Sequence, residues 1–328
     1  MTDRERASST DGTDLTDGTV VPFRRRDDAG SHVPSADQAG ATSSQGGDET
    51  LTDERVEAVL GFLRRRLSGD VHVDAFGLDP ELADAVLLQP FRALYSRWFR
   101  VHAQGLHHVP SNGAAMVVGN HAGAIAIDSV MTSIALLDHH DAHRRLRVLG
   151  GDLVFGMPFV GEFARAMGST LACRADVDRL LAAGELVGVW PEGYKGVGKP
   201  YSERYKLQRF GRGGFVAAAL RAKAPIIPCA IVGAEEIAPV LGNITPLARL
   251  LGLPYVPITP TFPWLGPLGL VPLPSKWIIE FSEPIPTDGY EDDAADDQAL
   301  VLDLTDQVRE TIQAALPRLL SQRGRAFG

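Results

Sequence analysis

From residue 105 onward, short apolar runs alternate with amphipathic segments, and this alternation constrains the fold more than any other feature of the 328 residues. Runs of strand character occupy 114–118, 146–150, 169–173, 186–190, 226–232 and 276–281. Segments of helical spacing occupy 129–138, 159–167, 175–183 and 213–222. Strand, helix and strand in succession bury their apolar faces by returning the chain to one sheet, which makes the strands parallel and lays helices on the faces. The expected class is α/β, a largely parallel central sheet flanked by helices. Functional residues in such sheets gather beyond the carboxyl ends of the strands. A last helix over about 297–320, acidic at its start and basic at its end, suits the helix dipole.

Ahead of this 105–328 unit the pattern is different. Residues 1–48 are rich in Ser, Thr, Asp and Gly and have too few apolar side chains to build a core, so a disordered acidic tail is expected. Residues 49–104 read as N-terminal helices. One starts near Thr52 and carries Val56, Val59, Leu60, Leu63 and Leu67 at helical spacing. The next starts near Pro90 and gathers Phe91, Leu94, Tyr95, Trp98 and Phe99 on one stripe, with Arg92, Arg97 and Arg100 off it. Such a stripe either faces a membrane or packs on the following unit.

The net charge of −9 sits at the ends. Residues 1–50 hold ten Asp/Glu against five Arg, and residues 287–328 hold nine against four. Between Arg174 and Lys223 the balance reverses, with ten Lys/Arg against five Asp/Glu, which suits a phosphate-bearing ligand or an anionic lipid and gives no reason to expect nucleic acid. Two cysteines, Cys173 and Cys229, make no disulfide framework and fit a reducing compartment. The N-terminus has no apolar h-region. The uncharged stretch Leu250 to Ser275 is long enough for a span but contains seven prolines, which rules out a regular transmembrane helix. A cytoplasmic protein, peripheral at the inner face of the cell membrane, is expected.

The residues most suited to chemistry follow the first strand. Asn120 and His121 stand at its end, and Asp128 opens the next helix. Imidazole is the side chain best matched to proton transfer near neutral pH, and a carboxylate on its second nitrogen fixes the tautomer. Two other motifs carry less. Gly193-Tyr-Lys-Gly-Val-Gly-Lys199-Pro200 approaches the phosphate-loop pattern but ends in Pro where a metal-ligating hydroxyl is needed. Asp138-His-His-Asp-Ala-His143 has ligand-type side chains without a matching second cluster, so a solvated loop and no metal are expected.

Four blocks in order carry a resemblance: Asn120-His121 with Asp128; Phe155 to Phe163 followed by the run ending at Arg174; Trp190-Pro-Glu-Gly193; and the Pro-bracketed run 224–232. The set is similar to that of the glycerolipid acyltransferases, the 1-acylglycerol-3-phosphate (lysophosphatidate) acyltransferases and their relatives. The resemblance implies an acyltransferase domain in 105–328, with His121 as general base and Asp128 as its orienter. Arg174, Glu192 and Gly193 would bind the acceptor's glycerol phosphate alongside Asn120, with Lys206 and Arg209 as further basic candidates, and Pro228 would line the acyl pocket. The donor would be acyl-CoA or acyl carrier protein, the acceptor a lipid hydroxyl, with no bound cofactor. A diacylglycerol or alcohol acceptor, or a catalytically silent lipid-binding protein on the same fold, is the alternative. The chain departs from the family pattern in two places. It has His-x6-Asp where the family has His-x4-Asp, and Trp190 stands where Phe is usual. If the turn bulges outward at Gly123, Asp128 still reaches His121, and if it does not, another group must orient the imidazole.

Overall fold

The computed structural model describes residues 60–69, 71–123 and 126–327. The tail expected over 1–48 and the helix start near Thr52 lie outside them; residues 60–68 are helical. A second helical stretch begins at Pro80, ten residues earlier than the spacing suggested, because Asp79 caps it by accepting from the Leu82 N–H at 2.9 Å and Pro80 stands where no N–H partner is needed. It runs to Trp98. Pro90 cannot supply an N–H, and the hydrogen bonds widen to i→i+5 on both sides of it, from Leu88 to Ala83 and from Phe99 to Leu94.

Most of the aromatic stripe packs inward. Phe99 is fully buried and stacks on Trp277 at 4.9 Å between centroids, Tyr95 stacks on His139, and Phe91 meets Phe163. Burying one such side chain is worth about 1.5–3 kcal/mol, which anchors the stretch to the α/β unit. The end at Trp98 remains exposed.

The strands are β1 (His102–Gln104), β2 (Ala115–Gly119), β3 (Leu146–Gly150), β4 (Thr170–Leu171), β5 (Leu186–Val189), β6 (Ile226–Val232), β7 (Gly242–Asn243), β8 (Pro257–Ile258) and β9 (Ile278–Phe281). Seven of them form one sheet in the order β1-β9-β6-β2-β5-β3-β4. Every pairing in it is parallel except β6 with β9. The longer helices are α1 (Asp128–His139), α2 (Val160–Ala166), α3 (Arg174–Ala182), α4 (Gly214–Ala222), α5 (Thr245–Leu251) and α6 (Gln298–Arg323). Helices α3, α4 and α6 pack against one face of the sheet, through Leu180, Val216 and Ile312 among others. The other face is covered by α1 and the 91–99 stretch, through Met131, Ile134 and Phe99. The fully buried strands β2 and β6 form the centre, and their apolar side chains alternate between the two cores.

The proline-rich stretch does contain short regular pieces. Residues 241–271 hold α5, the β7–β8 ribbon and a 3₁₀ turn at Gly266–Leu270. No helix among the described residues is long and apolar enough to cross a membrane.

Candidate active site

His121 lies two residues beyond β2, at the carboxyl end of a central parallel strand. Its Nδ1 is 2.7 Å from Oδ2 of Asp128, the first residue of α1. The Asp128 carboxylate is fully buried and also accepts from the N–H groups of Ala122 and Ser129, each at 2.9 Å. A carboxylate so supplied is acceptor-only towards the ring, so the proton sits on Nδ1 and the Nε2 lone pair is left for a ligand. No hydrogen-bond partner takes Nε2 among the described residues, and 14% of the His121 side chain is exposed. The two extra residues of the His-x6-Asp spacing therefore do not part the pair. Gly123 accommodates them at φ +82°, with its Cα so near the Ala234 carbonyl that a Cβ would lie 2.6 Å from that oxygen. Both restrictions demand glycine.

Glu192 closes the site from below. One carboxylate oxygen accepts from the His121 N–H at 2.9 Å and the other from the Gln208 N–H at 2.6 Å. Lys199 Nζ lies 3.8 Å from Glu192 and 2.9 Å from Glu235. All three side chains are buried, and burial raises the carboxyls of Glu192 and Glu235 above their ordinary values against the pull of Lys199. Tyr205 N–H also donates to Glu235, while the Tyr205 hydroxyl and Arg323 both pair with Glu236. The last residue of α6 is thus tied into the same buried charge network.

The turn after β5 is shaped by two glycines. Gly193 adopts φ +56°, ψ −147°, a conformation that L side chains rarely adopt, and starts the short helix Tyr194–Val197. Gly196 packs so tightly that a Cβ there would come within 2.7 Å of both the His121 carbonyl and Glu192 Cβ. Trp190 lies flat against Gly119, its ring 6.2 Å from that of His121.

Several expected roles change. Asn120 is not free for substrate: its amide donates to the Ile231 carbonyl at 3.0 Å and accepts from the Ile231 N–H at 2.7 Å, stapling the loop to β6. Glu192 is a staple in the same sense, and Gly193 contributes backbone geometry. Arg174 stands at the start of α3, 73% exposed and 3.4 Å from Asp178. It follows β4, which stands two strand positions, or ~10 Å, from β5, the strand that leads to Glu192 and Gly193. No hydrogen bond or ion pair links Arg174 to Glu192 among the described residues. Lys206 is exposed and pairs with Glu203, and Arg209 lines a hollow beside α6 with Phe210 and Arg309. Pro228 is buried in mid-strand opposite Val118, where its carbonyl accepts from Ser282 N–H, a place in the packed sheet rather than in a pocket wall.

The Asp138–His143 loop is not merely solvated. Asp138 pairs with Arg92 through both carboxylate oxygens, and buried His140 bonds the Val109 carbonyl. Among the described residues no cluster is arranged to hold a metal. The phosphate-loop-like Lys199 is consumed by carboxylates, which removes the basis for nucleotide binding there.

Two contributors were not expected as site residues. Lys199 carried only the phosphate-loop signal. Tyr255, in the proline-rich stretch, packs on Gly198, and its hydroxyl is raised to about 12 by burial and then by the charge of Asp128. No local pattern marks Tyr255 as a neighbour of the His–Asp pair.

Residues 100–232, which include the His–Asp pair and the Glu192 turn, match the family model described as Acyltransferase. An uncharacterized protein of Mycobacterium tuberculosis and one of Mycobacterium bovis are each 56% identical over 291 residues, 88% of this chain and 81% of theirs. One of Mycobacterium leprae is 56% identical over 274 residues, 84% of this chain and 75% of its own. The chain belongs to the acyltransferase family. The acyltransferase is also similar, at 16% identity and a TM-score of 0.49, to the 1-acyl-sn-glycerophosphate acyltransferase PlsC of Thermotoga maritima, over 75% of this chain and 82% of that one. The enzyme class expected from the four blocks is thereby the one the family match gives, and all four blocks lie wholly or mainly in the matched span.

Proposed function

We propose that this acyltransferase moves a fatty acyl group from a thioester, acyl-CoA or acyl carrier protein, to the hydroxyl of a membrane lipid, with 1-acylglycerol-3-phosphate as acceptor. One observation carries the reading: the 2.7 Å contact between His121 Nδ1 and the buried Asp128 carboxylate, with no partner for Nε2 among the described residues. In this reading Nε2 removes the proton from the acceptor hydroxyl as its oxygen attacks the thioester carbonyl. The carbon–sulfur bond then breaks, and the proton on Nε2 passes to the departing thiolate, so the imidazole is regenerated. Asp128 stabilises the imidazolium between these steps. No enzyme nucleophile is required, and the buried thiol of Cys229 is held protonated by burial. The place of action is the inner face of the cell membrane, in phospholipid synthesis.

The same contact speaks against a catalytically silent lipid binder, which would not need an oriented base. A neutral acceptor, diacylglycerol or a long-chain alcohol, is the second reading. It is favoured by the commitment of Lys199 to Glu235 and by the outward placement of Arg174 and Lys206. The test is transfer of one labelled acyl-CoA to lysophosphatidate, diacylglycerol and fatty alcohol in parallel. His121→Ala is expected to lose ~10²–10⁴ in rate with its melting temperature retained. Full transfer by a folded His121→Ala protein overturns the proposal.

A further inference from the structure

The proline-rich segment turns an apolar face to solvent that nothing in the described chain covers. Leu250 is 81% exposed, Trp264 74% and Leu268 72%, with Leu241, Leu251 and Leu265 also exposed. Helix α5 buries only Ala248 and presents its leucines outward. Water-facing leucines on so short a helix gain nothing from folding, and concentrated exposed apolar surface marks an interaction site.

Charge identifies the partner. From Ile237 to Ile279 there is no Asp or Glu, and the charged residues are Arg249 and Lys276. From Ala85 to Ile127 there is again no Asp or Glu. The two stretches meet: the Trp98 indole donates to the Pro272 carbonyl and Arg100 to the Pro274 carbonyl, each at 2.8 Å. Exposed Trp98 and Arg97 therefore sit beside the proline-rich segment. In a chain of net charge −9 these two adjoining stretches carry no acid and place Arg97, Arg100, Arg249 and Lys276 beside the exposed apolar side chains. Apolar tips set among cations, with tryptophans to sit at headgroup depth, complement an anionic bilayer.

We propose that residues 241–271, together with Trp98, dock the protein on an anionic lipid bilayer. This rests on the reading above that the acceptor is a membrane lipid, and it names the surface through which that lipid is met. The same segment carries Tyr255, which packs on Gly198 and lies within reach of the Asp128 charge. The docking surface and the His–Asp pair are therefore joined by one short stretch of chain.

The test is sedimentation of the full chain with vesicles of equal phosphatidylglycerol and phosphatidylcholine. It is paired with transfer to a short-chain acceptor dissolved as monomers. Wild type is expected to bind, and Trp264→Ser/Leu268→Ser and Leu250→Ser/Leu251→Ser each to weaken binding by about tenfold or more. Melting temperature and transfer to the dissolved acceptor should stay at wild-type levels. Arg249→Gln/Lys276→Gln should weaken binding only to vesicles containing phosphatidylglycerol. Vesicle binding undiminished in both serine variants, or absent in wild type, overturns the proposal. A wild-type dimer that the serine variants dissolve assigns the surface to a second copy and overturns it too. Vesicle binding without any acyl transfer leaves the docking surface standing and removes only the catalytic reading.

Discussion

The backbone N–H of His121 donates to the buried carboxylate of Glu192, 71 residues further along the chain, at 2.9 Å. The contact fixes the peptide that carries the imidazole, while Asp128 fixes the ring itself. Position and tautomer are thus set by two different acids, one in the turn after β5 and one opening α1.

Replacing Glu192 by Gln keeps one acceptor oxygen and strands one of two buried N–H groups. An unsatisfied buried donor costs about 1–3 kcal/mol, so Glu192→Gln should lower the melting temperature. Because the His121 peptide is then less firmly held, kcat should fall while KM for the acyl donor changes little. A calorimetric scan beside a kcat and KM comparison checks both.

Asp128→Asn preserves shape and removes the charge that orients the ring. The NH₂ must face either the Ser129 N–H or both Nδ1 and the Ala122 N–H. In the second orientation it favours the tautomer with its proton on Nε2, the wrong nitrogen for a base, and in both the charge that stabilises the imidazolium is gone. A loss of ~10²–10⁴ in kcat is expected with the fold intact. Steady-state kinetics and circular dichroism of the purified variant decide it.

Gly196→Ala puts a methyl 2.7 Å from the His121 carbonyl and from Glu192 Cβ. Overpacking of this kind costs about 1–3 kcal/mol. It should also displace His121, so activity should fall further than stability does. Gly193→Ala meets no atom within 4 Å and should cost only the strain of its dihedral angles.

Glu235 supplies a pH dependence whose sign is fixed by burial. Its carboxyl is raised above the ordinary value of 4.5, chiefly by desolvation. A folded-state value above the unfolded one stabilises the fold fully below the ordinary value, and the contribution is lost as pH rises through the folded value. Glu235→Gln keeps the acceptor for Tyr205 and Lys199 but cannot titrate. The melting temperature of wild type relative to Glu235→Gln should therefore be higher at about pH 5 than at about pH 8. Paired thermal melts at the two pH values measure it.

Much of the fold was legible. The strand at 226–232 carries an uninterrupted apolar run and that at 146–150 a run broken only by Arg147, and both stand at those bounds because a strand buried on both faces writes itself into sequence. Helices α1, α3 and α4 begin and end within a residue of their expected limits, since one-faced burial imposes a period that composition reveals. Strand β1 was hidden: three residues, only partly buried, carry no period. Pro80 and Pro90 both stand in first turns of helical pieces, so a proline alone does not tell which one opens the stretch.

What the sequence determined by itself was the alternating α/β plan, the family, and the pair His121 and Asp128, because these are written in adjacent residues whose spacing is local. What tertiary structure alone decided was which of the remaining polar residues reach that pair. It committed Asn120 to Ile231, Glu192 to the His121 and Gln208 peptides, and Lys199 to Glu235, and it left Arg174 exposed at the start of α3 beside Asp178. The reason is physical: a buried polar group must take whichever partner the packing brings to it, and that partner is fixed by the order of strands in the sheet and not by distance along the chain.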